Sequence, residues 1–138
     1  MRPSGRLLRA PAKPVMTILI VEDHEPMRRM IGNLVAGYAE EIRECADAGS
    51  AIAAYRDRPA DYVLMDLQLP GMDGIAATRA ILAADPQAHV VIVTAFDNVH
   101  LRQLAAAAGC CAYILKSNLL PLFDLLLRGR ALRAGQPG

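Results

Sequence analysis

Two acids in succession, Glu22 and Asp23, follow a short run of branched apolar residues, Thr17–Val21, and His24 and Glu25 come directly after them. A third isolated acid, Asp66, closes a second apolar run, Tyr62–Met65, just before the turn Leu69–Gly74. A hydroxyl, Thr94, ends the run His89–Val93, and an ammonium, Lys116, ends Cys111–Leu115. Lys116 is the only lysine beyond residue 13, in a chain with thirteen arginines, which points to a need for a compact point charge. Carboxylates gathered at one place repel one another, and a hard divalent cation removes the conflict. Mg2+ suits such a site, since it takes one or two carboxylates, waters and a phosphate oxygen. With a cation and a lysine beside it, Asp66 could attack a phosphoryl donor and carry the group as an aspartyl phosphate.

For these residues to meet, the runs that carry them must lie side by side and point the same way. The pattern between them supports this. Helical periodicity covers Pro26–Ala36, Gly49–Arg58, Ile75–Ala84, Val99–Ala108 and about Pro121–Leu132, and Glu41–Ala46 reads as a weaker strand. Strands alternating with helices predict an α/β fold, a doubly wound parallel sheet covered on both faces. In such sheets ligands bind beyond the carboxyl ends of the strands, where strand order reverses. Each residue singled out has a plain structural use if taken alone. Asp66 could cap a turn, Thr94 could be an ordinary strand residue, Tyr113 a half-exposed strand aromatic, and Lys116 could lie along the surface. Their joint placement at strand ends argues for a site.

Composition sets the frame. The chain has 138 residues, enough for one domain with a core of its own. Residues 1–14 carry Arg2, Arg6, Arg9 and Lys13 and no acid, while the remainder holds 11 basic and 14 acidic residues. The folded part is therefore mildly acidic, which disfavours a nucleic-acid-coating surface, and aromatics at 4% disfavour a base-stacking platform. No apolar run approaches the ~20 residues of a membrane helix. Cys110 and Cys111 are adjacent and Cys45 stands alone, so free thiols in a cytoplasmic protein are expected, without zinc. Residues 1–15 read as a flexible basic tail, 16–132 as the folded domain, and 133–138 as a disordered C-terminal tail with no output domain after it.

Four segments, ILIVEDHEPMR, VLMDLQLPGMDG, VIVTAF and AYILKS, occur in this order between Ile18 and Ser117. In them the chain resembles the receiver domain of bacterial two-component response regulators, from Ile18 to about Leu127. The resemblance implies a flavodoxin-like (βα)5 fold with strand order 2-1-3-4-5, and it implies Mg2+. It makes Asp66 the phosphoacceptor and Asp23 a direct metal ligand. The backbone carbonyl of Gln68 completes the protein ligands, and Glu22 acts on the metal through water. Thr94 and Lys116 hold phosphoryl oxygens, and Tyr113 is the switch aromatic that follows Thr94. The implied function is a signalling protein, not an enzyme, which catalyses only its own phosphorylation and dephosphorylation. It is phosphorylated by a histidine kinase or phosphotransfer protein, and it acts on a protein partner or a second copy through the fourth helix, fifth strand and fifth helix. That last helix, with leucines almost all round, fits either such an interface or deep packing.

Two other functions compete. A phosphorelay shuttle or phosphate sink would pass the group on to a histidine of another protein. A small Mg2+ phosphohydrolase would want an acid two residues after Asp66, where Gln68 stands instead. The family often has proline after the active-site lysine, and here Ser117 follows, so the geometry of the next loop does not carry over. Gln68 and Phe96 lie two residues past Asp66 and Thr94, near the path of an attacking water. A bulky Phe96 should hinder that water. Phe96→Ala is expected to shorten the lifetime of the phosphorylated protein, and an unchanged decay rate would contradict this.

Overall fold

The chain alternates strand and helix because its apolar periodicity does. Val, Ile and Leu recur in short uninterrupted runs, and the segments between them carry apolar residues on one side only. In the computed structural model, which describes residues 15–134, these become β1 (Thr17–Val21), α1 (Glu25–Val35), β2 (Glu41–Cys45), α2 (Ala48–Asp57) and β3 (Tyr62–Met65). Then come α3 (Gly74–Ala84), β4 (Val90–Thr94), α4 (Val99–Ala108), β5 (Ala112–Leu115) and α5 (Leu120–Ala134). A single 3-10 turn, Ala36–Tyr38, follows α1.

All strand pairs are parallel, as the sequence pattern predicts, and the order is β2-β1-β3-β4-β5, as the family resemblance implies. The register sets Thr17 against Glu41, Ile18 against Tyr62, Val63 against Val90 and Val91 against Ala112. The chain goes from β1 to β2 on one side and returns to β3 on the other, so strand order reverses at β1. This is the position where the carboxyl ends of neighbouring strands open a crevice.

Alternate side chains of each strand point to opposite faces, and two cores result. Leu19, Val21, Val63, Met65 and Ile92 pack with Tyr55, Ile75, Ile81 and Ala105 of α2, α3 and α4. Ile18, Ile20, Leu64, Val91 and Val93 pack with Ile31, Val35, Leu122 and Leu126 of α1 and α5. The edge strand β2 is only partly buried, which accounts for its weaker pattern in the sequence.

Local chemistry fixes where the helices begin. Asp47, Asp73 and Asn98 cap α2, α3 and α4 by accepting the backbone N–H groups of Ser50, Ala76 and Leu101 at 2.7, 2.8 and 3.0 Å. Pro26 occupies the first turn of α1, where its missing N–H costs nothing. Gly109, at φ +103°, ends α4 in the left-handed conformation that glycine adopts freely.

The C-terminal boundary needs correction. Residues 133–138 were expected to form a disordered tail, yet α5 continues to Ala134. Arg133 holds the last turn by donating to Asp61 Oδ1 at 2.7 Å and to the carbonyl of Val15 at 3.2 Å. Residues 1–14 and 135–138 lie outside the described residues, so most of the two expected tails do too. On α5, Leu122 and Leu126 are fully buried, while Leu120, Leu127 and Leu132 are 59–72% exposed. Its leucines thus serve both packing and surface. Among the described residues no helix is long and apolar enough to cross a membrane.

Gly74, the first residue of α3, lies against the strand end that carries Asp66. A side chain there would overlap the Asp66 carbonyl oxygen and press on Leu67, both main-chain groups that cannot swing aside. Gly74→Ala is therefore expected to cost about 1–3 kcal/mol of stability. Denaturant unfolding checks this, and an unchanged midpoint would contradict it.

Candidate functional site

The site is built by strand ends. The Glu22 N–H extends the β1–β2 ladder to the carbonyl of Cys45 (3.0 Å), and the Asp66 N–H extends the β1–β3 ladder to that of Val21 (3.0 Å). The two ladder bonds bring the acids after β1 next to the acid after β3. Glu22, Asp23 and Asp66 each offer a carboxylate oxygen, and these oxygens lie within 4.8 Å of one another. Glu22 and Asp66 are 2% and 6% exposed, whereas Asp23 faces solvent.

Lys116, just past β5, reaches across β4 to this cluster. Its backbone N–H donates to the Thr94 carbonyl at 2.8 Å. Its Nζ donates to Asp66 Oδ2 at 3.2 Å and lies 2.7 Å from Glu22 Oε1. The contact with Oε1 is an ion pair out of hydrogen-bond alignment, which leaves that buried oxygen without an aligned donor. The other Glu22 oxygen, Oε2, accepts the His24 N–H at 3.1 Å. The side chain of His24 itself is exposed.

One ammonium cannot balance two buried carboxylates and the exposed third beside them. Burial and the neighbouring charge of Glu22 push the Asp66 carboxyl above its usual value, and Lys116 only partly offsets them. For Lys116, burial works against the charge, but Glu22 and Asp66 outweigh it and raise its pKa. An all-oxygen donor set with excess negative charge fits a small hard dication such as Mg2+.

The remaining residues singled out in the sequence surround this cluster. The Gln68 N–H points to Asp66 Oδ1 at 3.4 Å, at the limit of a hydrogen bond. Thr94 is fully buried, and its Oγ1 accepts the Phe96 N–H at 3.3 Å. Tyr113 is half-buried, and its hydroxyl donates to the Phe96 carbonyl at 2.7 Å. The Arg102 guanidinium sits over its ring, 4.6 Å from the centroid, and also pairs with Asp97 at 3.1 Å. Phe96 is 41% exposed. Among the described residues no peptide bond is cis, so the Lys116–Ser117 bond is trans. The three cysteines are free, as their spacing predicts.

Sequence reasoning missed two arginines. Arg102 stacks on Tyr113, and Arg28 bonds the Glu22 carbonyl at 2.8 Å and Glu44 at 2.9 Å. The only signal for either was an arginine on a helix beside the site, and a solvated helix face looks the same in sequence.

Comparison with known proteins agrees with the fold. The family model described as "Response regulator receiver domain" matches residues 18–122. The chain is 35% identical over 100 residues to the chemotaxis protein CheY of Bacillus subtilis, covering 72% of this chain and 83% of that protein. It is 32% identical over 120 residues to the signal transduction histidine-protein kinase BarA of Escherichia coli, covering 85% of this chain but only 13% of the kinase. Among solved structures, a two-component response regulator of the LuxR family from Aurantimonas sp. superposes with a TM-score of 0.75 at 34% identity. That match covers 89% of this chain and 88% of the other.

The charge imbalance has a measurable consequence. Without divalent cations, Asp66→Asn is expected to raise the thermal midpoint, because it removes one of three mutually repelling carboxylates. The raised pKa fixes the sign with pH. The wild type carries the full penalty above that pKa and loses it once the pH falls below the ordinary Asp value, so the gain from the variant vanishes in acid. A variant less stable than wild type at neutral pH without Mg2+ would contradict this.

Proposed function

The chain belongs to the response regulator receiver domain family, and we propose that it accepts a phosphoryl group on Asp66 and signals through the conformational change that follows. The observation that carries this reading is the position of Lys116, whose ammonium lies between Glu22 and Asp66 while Asp23 completes the cluster.

In the proposed reaction an Asp66 carboxylate oxygen attacks the phosphorus of a phosphohistidine on a sensor kinase or phosphotransfer protein. A P–O bond forms and the P–N bond breaks. The imidazole nitrogen leaves with the electron pair and picks up a proton from solvent. Asp23, Asp66 and the backbone carbonyl of Gln68 would hold Mg2+, with Glu22 acting on it through water. When bound, the ion neutralises charge on the transferring oxygens.

Lys116 supplies a second, fixed positive charge without needing to travel, since it already contacts Asp66. Its ion pair with Glu22 keeps it near Asp66 when no phosphoryl group is present. Thr94 lies at the neighbouring strand end, and a turn of its hydroxyl toward a phosphoryl oxygen gives up the Phe96 N–H. Phe96 also carries the carbonyl that holds Tyr113. Modification at Asp66 is thereby linked through one residue to a side chain on β5, which is how a local charge biases two conformations.

The output surface in this reading is the face of α4, β5 and α5, which would meet a downstream protein or a second copy. Exposed Leu120, Leu127 and Leu132 support it. The three free thiols suit a reducing, cytoplasmic setting.

Incubation with acetyl phosphate and Mg2+, read by intact mass, tests the acceptor. The wild type is expected to gain one phosphoryl group, and Asp66→Asn or omission of Mg2+ to abolish it. An equal adduct on Asp66→Asn would overturn the assignment.

A further inference from the structure

We propose that Arg28 is a positioning residue for the metal-binding acids: its guanidinium fixes the peptide plane between Glu22 and Asp23 and so sets the aim of Asp23. The inference rests on the reading of Glu22, Asp23 and Asp66 as a cation site.

The reasoning begins with the backbone. At the end of β1 the main-chain groups still need partners. The Val21 carbonyl accepts from Asp66, and the Glu22 N–H donates to Cys45. The next carbonyl, that of Glu22, falls beyond the last residue of β2, Cys45, and has no strand to bond. Arg28 Nη1 takes that place at 2.8 Å.

The guanidinium is itself held from the other side. Its Nε donates to Glu44 Oε1 at 2.9 Å, and its side chain is only 16% exposed. Glu44 lies on β2 and Arg28 on α1, so the contact ties a helix, an edge strand and the loop after β1 at one point. An arginine held by two different acceptors in this way is a rigid strut and not a mobile surface charge.

Of the three acids, Asp23 most needs outside support. Glu22 is anchored by the His24 N–H and Lys116, and Asp66 by Lys116 and its buried setting. Asp23 is exposed, and Lys116 contacts the other two acids. Its direction is therefore set by the backbone that carries it. The carbonyl of Glu22 and the nitrogen of Asp23 belong to one planar peptide unit, so holding the carbonyl holds the plane.

Charge and positioning predict opposite signs, which makes the proposal testable. A guanidinium close to the acids repels a second cation. If Arg28 supplied charge alone, neutralising it would tighten Mg2+ binding. If it positions Asp23, removing it weakens binding in spite of the charge gained.

The experiment is calorimetric titration of the full chain with MgCl2, at a temperature below the thermal midpoint of every variant measured without metal. Arg28→Gln is expected to raise the Mg2+ Kd about tenfold or more, the range seen when residues that orient metal ligands are lost. Arg28→Lys and Glu44→Gln should weaken binding less, since each keeps part of the strut. A merely structural role would lower the thermal midpoint and leave the Kd of the folded protein unchanged. Unchanged or tighter binding by Arg28→Gln overturns the proposal while wild-type Mg2+ binding leaves the functional reading intact. If Arg28→Gln does not fold, an unchanged Kd in both Arg28→Lys and Glu44→Gln overturns it instead. A wild type that binds no Mg2+ removes both this proposal and the reading beneath it.

Discussion

Three carboxylates cluster at the carboxyl edge of the sheet with one ammonium, which pairs with two of them, and the rest of the structure is arranged around that imbalance. Like charges at this spacing do not come together unless something stronger holds them. Here it is the parallel sheet, whose buried strands place Glu22 and Asp66 on adjacent ends through main-chain hydrogen bonds. The two hydrophobic cores supply the stability that these bonds need. Electrostatic strain is thus confined to one edge and kept in place by burial elsewhere. A site that is unfavourable when empty gains more when a cation or a phosphoryl group relieves it, and that gain can bias a conformation.

The path from site to surface is short. Thr94 accepts the Phe96 N–H, the Phe96 carbonyl accepts the Tyr113 hydroxyl, and Arg102 covers the Tyr113 ring. The links run from the end of β4 through the loop after it to Tyr113 on β5 and Arg102 on α4. Under the proposed function, rotation of the Thr94 hydroxyl would reach the surface through these contacts while the packed strands stay fixed.

Much of this was legible in the chain itself. The parallel sheet followed from strands without polar positions, since Val90–Thr94 is buried throughout. The acids, Thr94 and Lys116 could be grouped because open α/β sheets place ligands at the carboxyl ends of strands. Other features were not legible, for physical reasons. Glu22 could be read as an acid near a metal, but its pairing with Lys116 spans most of the chain and depends on β5 lying beside β4. The extension of α5 to Ala134 depends on a contact between Arg133 and Asp61, which no local propensity reveals. Arg28 and Arg102 sit on helix faces where arginine is ordinary, and only the tertiary arrangement shows what each touches.

The central claim is that the folded chain brings Asp23 and Asp66 onto one cation beside Lys116. A crystal grown with Mn2+ in place of Mg2+ tests this most directly, because the anomalous signal locates the ion without reference to activity. The account predicts one peak bounded by the carboxylates of Asp23 and Asp66 and the carbonyl of Gln68, with the Lys116 ammonium beside Asp66. A peak elsewhere on the molecule, or an Asp66 side chain turned away from Asp23 and Lys116, would contradict it.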